Sequence, residues 1–467
     1  MTTLPGLNLS SIPPETLATP LTLQTRTQDL PAGTEYRFEV AFSRTFFIRL
    51  LSGTAEFFGT ELAPSSKDSY TFSGTKGAIY TWHGCKLELV GEAESEYLAE
   101  ETMMMSYANA HFALENLREK AAQVGETGPR VLVVGPENAG KTSLVKILTS
   151  YAVKAGRQPV VVNLDPRQGI LSVPGSLTAA AFSSIVDVEE GWGSSPISGP
   201  SPIPVKMPLV YHYGLGSPED GKIFKPLVTR MALAVTSRLE EDKLSKQAGF
   251  IIDSSGAVSH GKAGLYENIE HIISEFSVNA LFVLGSERLF SDMSRKYSNR
   301  PPDEKVSVVR LDKSGGCVDR DENYMKQLRQ AQIRSYFFGN GENALNPATH
   351  SVDYDELNIF RLIEASQVNT SFRPGDDDDD VYGSSNELFE KVTPSPMMQN
   401  SLLAITTAGV NERQEVIRDS SVLGYIYVAD VDDTKKKLRL LSPQTGRIPP
   451  NAIILGSFPE DAPGLVS

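Results

Sequence analysis

The spacing of apolar residues changes twice along the chain, and the changes mark three regions. Between residues 33 and 90 hydrophobic and polar positions alternate in short runs, at 36–40 (YRFEV), 45–51, 55–58, 69–72, 78–82 and 86–90. Period-two alternation broken by Gly-containing turns predicts the half-buried strands of a small β-sandwich. Residues 107–122 (YANAHFALENLREKAA) then take helical spacing and lead into the second region. There the apolar runs are continuous: 131–134 (VLVV), 158–164 (QPVVVNL), 249–252 (GFII), 280–284 (ALFVL) and 306–311 (VSVVRL). Strands apolar on both faces belong to a parallel sheet covered on both sides. Helical patterns separate them at 226–247, with Met231, Leu233, Ala234, Leu239 and Leu244 as the apolar stripe, at 265–276 and at 322–338. Beyond 340 short runs return, at 357–363, 402–406, 422–428, 438–441 and 452–455, as strands of a small mixed unit. The expected fold is α/β: a central parallel-sheet domain at 123–339, an N-terminal β-sandwich at 27–122 and a small mixed α/β C-terminal domain at 340–467.

Three stretches carry no period. Residues 1–26 read as a tail, 191–208 (GWGSSPISGPSPIPVKMP) as a surface insertion, and 374–400, which contains the acidic run 376–380, as a disordered loop. A formal charge of -14 argues against broad electrostatic adherence to nucleic acid, though not against a local basic groove. Cys85 and Cys317 are too few for a disulfide framework or a cysteine metal site, as expected in a reducing compartment. Residues 1–20 lack the basic start and apolar centre of a secretory signal, and no apolar run is long enough to span a bilayer, so no membrane partner is expected.

The chemistry begins where the run 131–134 ends. Gly135, Gly140, Lys141 and Thr142 make a G-x-x-x-x-G-K-T match, and Leu144, Ile147 and Leu148 follow at helical spacing. A glycine loop between a strand and a helix start is what a phosphate-binding P-loop requires. Its backbone N–H groups form a positive cradle, Lys141 reaches the phosphates and Thr142 offers a hydroxyl to Mg²⁺. Asp165 closes the second strand and would face the nucleotide crevice, although Asp165-Pro166 is also ordinary turn chemistry. Asp253 closes the third strand, where a carboxylate acts on the water shell of Mg²⁺. Lys326, Arg329 and Arg334 could fold over the phosphates as a lid; the plainer reading is a solvated helix face. Glu35, Arg37 and Lys76, taken alone, read as solvated charges, and Trp82 and His83 as core packing.

With these residues assembled, the sequence resembles the polynucleotide 5′-hydroxyl kinase family, and within it the kinase-like subunit of the eukaryotic pre-mRNA cleavage and polyadenylation factor (cleavage factor IA) of fungi. The resemblance runs through TEYRFEV (34–40), SGTAEFFGTEL (52–62), IYTWHGCKLEL (79–89), GPENAGKTS (135–143) and NLDPRQG (163–169), then VPGSL (173–177), PLVYHYG (208–214), RLDKSGGCV (310–318) and IRSYFFG (333–339). It implies a three-domain chain that grips ATP and Mg²⁺ from two sides. Glu35 and Lys76 would approach the base and ribose, and Asn138, Ala139, Gly140, Lys141, Thr142 and Ser143 the phosphates. Thr142 and Asp253 would serve the metal, and Asp165 would stand where active relatives keep a base. The implied partners are the other subunits of the cleavage factor, notably the one that binds the RNA polymerase II C-terminal tail, with RNA in the assembled complex, in the nucleus.

The resemblance also implies what is thinned. Active relatives carry a Trp-bearing clasp after the third-strand carboxylate; here 253–266 (DSSGAVSHGKAGLY) has none. They also carry an arginine-rich lid; here MKQLRQAQIR places Met325, Lys326 and Gln332 at arginine positions and leaves Arg329 and Arg334. Loss of one transition-state arginine removes about 10³–10⁵-fold in rate. The expectation is therefore an ATP-holding scaffold subunit required for cleavage coupled to polyadenylation. The alternatives are an active RNA 5′-hydroxyl kinase, in which Lys141 and Asp165 remain catalytic, and an ordinary P-loop ATPase switch.

Overall fold

The computed structural model describes residues 24–64, 69–193, 208–218, 222–261, 265–298, 300–301, 305–340, 343–363 and 387–466. Its first region contains β1 (Thr25–Leu30), β2 (Thr34–Glu39), β3 (Phe46–Gly53), β4 (Glu56–Phe57), β5 (Thr60–Glu61), β6 (Tyr70–Phe72), β7 (Lys76–Thr81), β8 (Cys85–Val90) and β9 (Ser95–Ala99). Two antiparallel sheets, β1-β8-β3-β6 and β5-β4-β7-β2-β9, make the sandwich. Alternation decides its core: Phe46, Ile48 and Leu50 of β3 turn inward to meet Phe38, Ile79 and Leu87. Two strands escape that rule. β1 starts inside the stretch expected to be a tail, and β9 is exposed over most of its length; backbone ladders to β8 and to β2 hold them.

Helix α1 (Met104–Val124) leads into the central domain, built from β10 (Arg130–Val134), α2 (Lys141–Lys154), β11 (Val160–Leu164), β12 (Ser176–Ala181), β13 (Leu209–His212), α3 (Phe224–Glu241), α4 (Lys243–Ala248), β14 (Phe250–Ser254), α5 (Glu267–Glu275), β15 (Ala280–Leu284), α6 (Glu287–Tyr297), β16 (Ser307–Leu311) and α7 (Glu322–Phe338). The sheet order is β13-β12-β11-β14-β10-β15-β16. The continuous apolar runs all lie in its parallel part. Val131, Leu132, Val133 and Val134 of β10 are fully buried, each contributing about 1.5–3 kcal/mol of burial. Near one edge β12 runs antiparallel to both its neighbours, β11 and β13, so the sheet is mixed where a wholly parallel one was expected. The small residues of β12 (SLTAAA) give no strong periodic signal.

The helix expected over 226–247 is two. Asp242 adopts an extended backbone and its carboxylate accepts the N–H groups of Leu244 (3.0 Å) and Ser245 (3.4 Å), capping α4. The buried stripe of α3 is Leu227, Val228, Met231, Ala232, Val235 and Leu239, whereas Leu233 and Leu244 are exposed. The charged helix α6 was not foreseen. In the insertion expected at 191–208, Trp192 is buried against Phe182, with ring centroids 5.3 Å apart, and 194–207 lie outside the described residues.

The last region holds β17 (Gly339–Asn340), β18 (Asn343–Ala344), β19 (Ala348–Asp353), β20 (Asn358–Leu362), β21 (Phe389–Val392), β22 (Leu402–Gly409), α8 (Gln414–Arg418), β23 (Val422–Asp432), β24 (Lys437–Ser442) and β25 (Asn451–Leu455). Its sheet runs β19-β24-β23-β22-β25-β20-β21. Strand β21 falls within 374–400, expected to be a disordered loop; Phe389 is buried and the strand pairs with β20. The acidic run 376–380 lies outside the described residues.

Both flanking units are joined closely to the centre. From the sandwich, Thr60 donates to the Val186 carbonyl (2.9 Å), and Lys146 of α2 lies 5.1 Å from the Phe57 ring. From the C-terminal unit, the N–H groups of Ser457 and Phe458 both donate to the Gly214 carbonyl at 3.0 Å, and Tyr425 N–H donates to the Tyr336 hydroxyl at 3.0 Å. Arg329 of α7 completes this interface. Its guanidinium is almost wholly inaccessible, donates to Glu460 (2.8 Å) and Glu322 (2.6 Å), and lies over the Phe458 ring.

Removing one partner of a fully buried pair costs about 3–5 kcal/mol, and Glu460 keeps partial access to water, so Arg329→Ala should destabilise the docked tail by about 1–3 kcal/mol. Hydrogen exchange in residues 456–461 should accelerate correspondingly. Unchanged exchange there would show that the sheet alone holds the tail.

Candidate functional site

The carboxyl ends of β10, β11 and β14 open onto one edge of the sheet, where α/β folds bind ligands. Between β10 and α2 the glycine loop turns tightly. At Gly135, with φ 156°, a Cβ would stand 2.4 Å from the Leu284 carbonyl oxygen. At Gly140, with φ 88°, it would stand 2.7 Å from Cys317 Sγ. Only glycine accepts both the conformation and the close approach.

A cavity of about 450 Å³ lies over this loop. Its walls come from the sandwich, the glycine loop, the 165–168 turn and the start of α7. Glu35, Lys76, Asn138, Ala139, Gly140, Lys141, Thr142, Ser143 and Asp165, separated by up to 130 positions in sequence, all line it. Asp253 sits directly behind, fully buried, accepting the Thr142 hydroxyl at 2.6 Å.

Charge in the cavity is held by internal partners. Lys141 is nine-tenths buried and donates to the Pro136 carbonyl (2.8 Å). Burial lowers its pKa, an effect opposed by Asp253, Asp165 and Glu137. Burial pushes Asp253 up to about 6 against the opposing pull of the Thr142 hydrogen bond and Lys141. Its Oδ1 has no hydrogen-bond partner. An orphaned, fully buried carboxylate oxygen beside a threonine hydroxyl fits a hydrated divalent cation, so Thr142 and Asp253 can serve Mg²⁺. Asp165 is already engaged: its Oδ1 accepts the Arg167 N–H (3.1 Å) and its Oδ2 accepts Gln168 Nε2 (2.9 Å).

The two residues from the sandwich are also tethered. Glu35 accepts Arg37 Nε at 2.8 Å and the Thr102 hydroxyl. Lys76 donates to Glu39 (2.6 Å) and stands 5.1 Å from the Tyr324 ring. The basic residues of α7 lie elsewhere than the lid reading requires. Arg329 is held by Glu460, Arg334 lies over the Phe338 ring, and neither lines the cavity, nor does Lys326. Gln332 exchanges two hydrogen bonds with the Gly169 backbone (3.1 and 3.2 Å), which ties α7 to the 165–169 turn. Sequence reasoning overlooked Glu137, Arg167, Arg320 and Tyr324, which line the cavity; the place of Glu137 within the glycine loop and the nearness of Arg167 to Asp165 could have signalled two of them. After Asp253, Ser259 accepts the Gly135 N–H at 3.0 Å, so the clasp segment folds back on the glycine loop.

The carboxyl of Asp253 ionises near 3.8 when the chain is unfolded and near 6 when folded. Between these values the folded state binds more protons, so stability falls as pH rises from about 4 to about 6 and stays lower above that, a difference of about 3 kcal/mol. Asp253→Asn should therefore raise the unfolding midpoint of the nucleotide-free protein at pH 7.5, with the gain vanishing near pH 4.5. A lower midpoint at pH 7.5 would mean that the ionised carboxylate is compensated in the folded state.

Three family models divide the chain as the fold does. One described as "N-terminal beta-sandwich domain of polyadenylation factor" matches residues 29–121, "mRNA cleavage and polyadenylation factor CLP1 P-loop" matches 135–339, and "Pre-mRNA cleavage complex II protein Clp1" matches 345–460. A Phaeosphaeria nodorum protein named mRNA cleavage and polyadenylation factor CLP1 is 68% identical over 100% of both chains. A Botryotinia fuckeliana protein of the same name is 53% identical over 98% of each. A solved complex of wild-type Clp1p with Pcf11p (454–563) superposes with a TM-score of 0.81 at 29% identity, covering 93% of this chain and 98% of that one. Similarity of this extent, over all three domains, makes the chain a member of the CLP1 family of mRNA cleavage and polyadenylation factors.

Proposed function

We propose that this chain is an ATP-holding scaffold subunit of the nuclear pre-mRNA 3′-end cleavage and polyadenylation machinery, and that it transfers little or no phosphate. The observation that carries the reading is a cavity walled by both the sandwich and the central domain. Lys141 and Thr142 would hold phosphates from the central domain, with Asp253 behind the metal, while Glu35 and Lys76 reach in from the sandwich. A ligand held from both sides fixes the two domains against each other. It stabilises the bound form by RT ln(1 + [L]/Kd), about 4 kcal/mol when the ligand is at 1,000 times Kd.

The thinned lid and clasp support the absence of turnover. In phosphoryl transfer MgATP supplies the phosphoryl group and the metal neutralises the developing charge. The protein must add a free base for the hydroxyl and arginines at the transferring group. Asp165 is held by the Arg167 N–H and Gln168 Nε2, and Arg329 is sequestered in the C-terminal interface. Docking of the subunit that binds the RNA polymerase II tail follows the relatives: the solved neighbours are Clp1p complexes with Pcf11p, one of them describing an extended interface and ATP loss in a point mutant. RNA enters through the assembled complex. The kinase alternative is favoured by one observation, that Lys141, Thr142, Asp165 and Asp253 are all in place.

The purified chain should carry near-stoichiometric intact ATP, and Lys141→Ala combined with Thr142→Ala should lose it together with most affinity for the Pcf11-type partner. Transfer of labelled γ-phosphate to a 5′-hydroxyl oligoribonucleotide should remain at background. Robust transfer abolished by Lys141→Ala would establish the kinase reading instead.

A further inference from the structure

Resting on the reading of this cavity as a nucleotide site, we infer that Arg320 and Arg167, outside the lid helix, form the clamp that recognises the terminal phosphate. Six cationic side chains line the cavity among the described residues: Arg37, Lys76, Lys141, Lys146, Arg167 and Arg320. Four have other work. Arg37 is paired with Glu35, Lys76 with Glu39, Lys146 stands over the rings of Phe57 and Phe58, and Lys141 is the loop lysine itself.

The remaining two flank the phosphate end. Arg320 precedes α7 and, among the described residues, has one hydrogen bond, from Nε to Asn138 Oδ1 of the glycine loop at 3.4 Å. Among the described residues it has no carboxylate partner, although it is only half-exposed. A guanidinium left without an anion in a cleft that also holds Lys141 is set for one that arrives with the ligand. Its charge already acts on both Lys141 and Asp253. Arg167 lies two residues beyond Asp165 and bridges Glu137 of the glycine loop (3.1 Å) and Glu322 at the start of α7 (2.8 Å). Those carboxylates are more than half exposed, so exchanging one of them for a phosphate oxygen sacrifices little. A guanidinium gains more from a phosphate, which accepts two parallel N–H bonds. The guanidinium groups missing at Met325, Lys326 and Gln332 are thus replaced from two loops.

A terminal-phosphate clamp separates ATP from ADP, which a general structural role would not. Titration calorimetry on the full-length chain stripped of nucleotide, with MgATP and MgADP as probes, should show Arg320→Ala and Arg167→Ala weakening MgATP by roughly ten- to a hundredfold. MgADP should weaken by less than about threefold, because the contact is to the group it lacks. Lys326→Ala, on the exposed face of α7, should bind both as the wild type does, and Arg320→Lys should recover part of the loss. Equal weakening of both nucleotides, no weakening, or a Lys326→Ala defect as large as that of Arg320→Ala would overturn the clamp. Unfolding midpoints of the empty variants identify a folding defect, and a variant with a lowered midpoint and equal losses counts against it. A wild-type chain that binds neither nucleotide would sink the site reading itself, whereas wild-type binding with undiminished variants sinks the clamp alone.

Discussion

Thr142 donates its hydroxyl to Asp253 across 2.6 Å, and in doing so fixes the end of β14 against the first turn of α2. The bond lies where charge is hardest to keep. Asp253 is fully buried, and Lys141 and Asp165, which line the cavity, are nearly so. A buried ion without compensation is costly, so each must be satisfied by the protein while no ligand is bound. The Pro136 carbonyl serves Lys141, Thr142 serves Asp253, and the Arg167 N–H and Gln168 serve Asp165. The remaining mismatch among the described residues, one bare oxygen on Asp253 and a guanidinium without an anion at Arg320, is complementary in polarity to a metal-bound phosphate.

That constraint reaches beyond the central domain through α7. Glu322 at its first turn accepts both Arg167 and Arg329, and Arg329 continues to Glu460 near the end of the chain. Glu137 of the glycine loop is thereby linked, through four further charged side chains, to the C-terminal unit. Isolated exposed ion pairs contribute little, but this series includes the almost inaccessible Arg329, and the paired hydrogen bonds between Gln332 and Gly169 run beside it. A helix that opens and closes over substrate in a kinase is here tied at several points along its length.

How legible this was depended on whether the chemistry was local. The glycine loop was readable because a strand, eight signature residues and a helix start follow one another, and five parallel strands were readable as continuous apolar runs. β12 was not, since a strand of small residues lacks periodicity, nor was β13, which at four residues is too short to show any; both are recruited by pairing at an edge. The same holds for β1, whose ladder partner β8 lies some 60 positions away. Leu233 failed as a core residue because the buried stripe of α3 runs through Leu227, Val228, Met231, Val235 and Leu239, and Leu244 because the cap at Asp242 ended that helical phase and began α4.

The lid is where sequence reasoning could least succeed. Arg329 sits at a position that resemblance assigns to phosphate chemistry, and helical spacing cannot show that its partner is Glu460, 131 residues onward. Conversely, Arg320 lies outside the helix and belongs to no motif, yet the turn before α7 brings it to Asn138. The two arginines have opposite surroundings: Arg329 is enclosed with two carboxylates and an aromatic ring, and Arg320 has a single long hydrogen bond. A guanidinium held by two carboxylates at the C-terminal interface is unavailable to a ligand, because releasing it would break both pairs and the interface they close. The division of labour between them is set by what surrounds each charge rather than by its place in a motif.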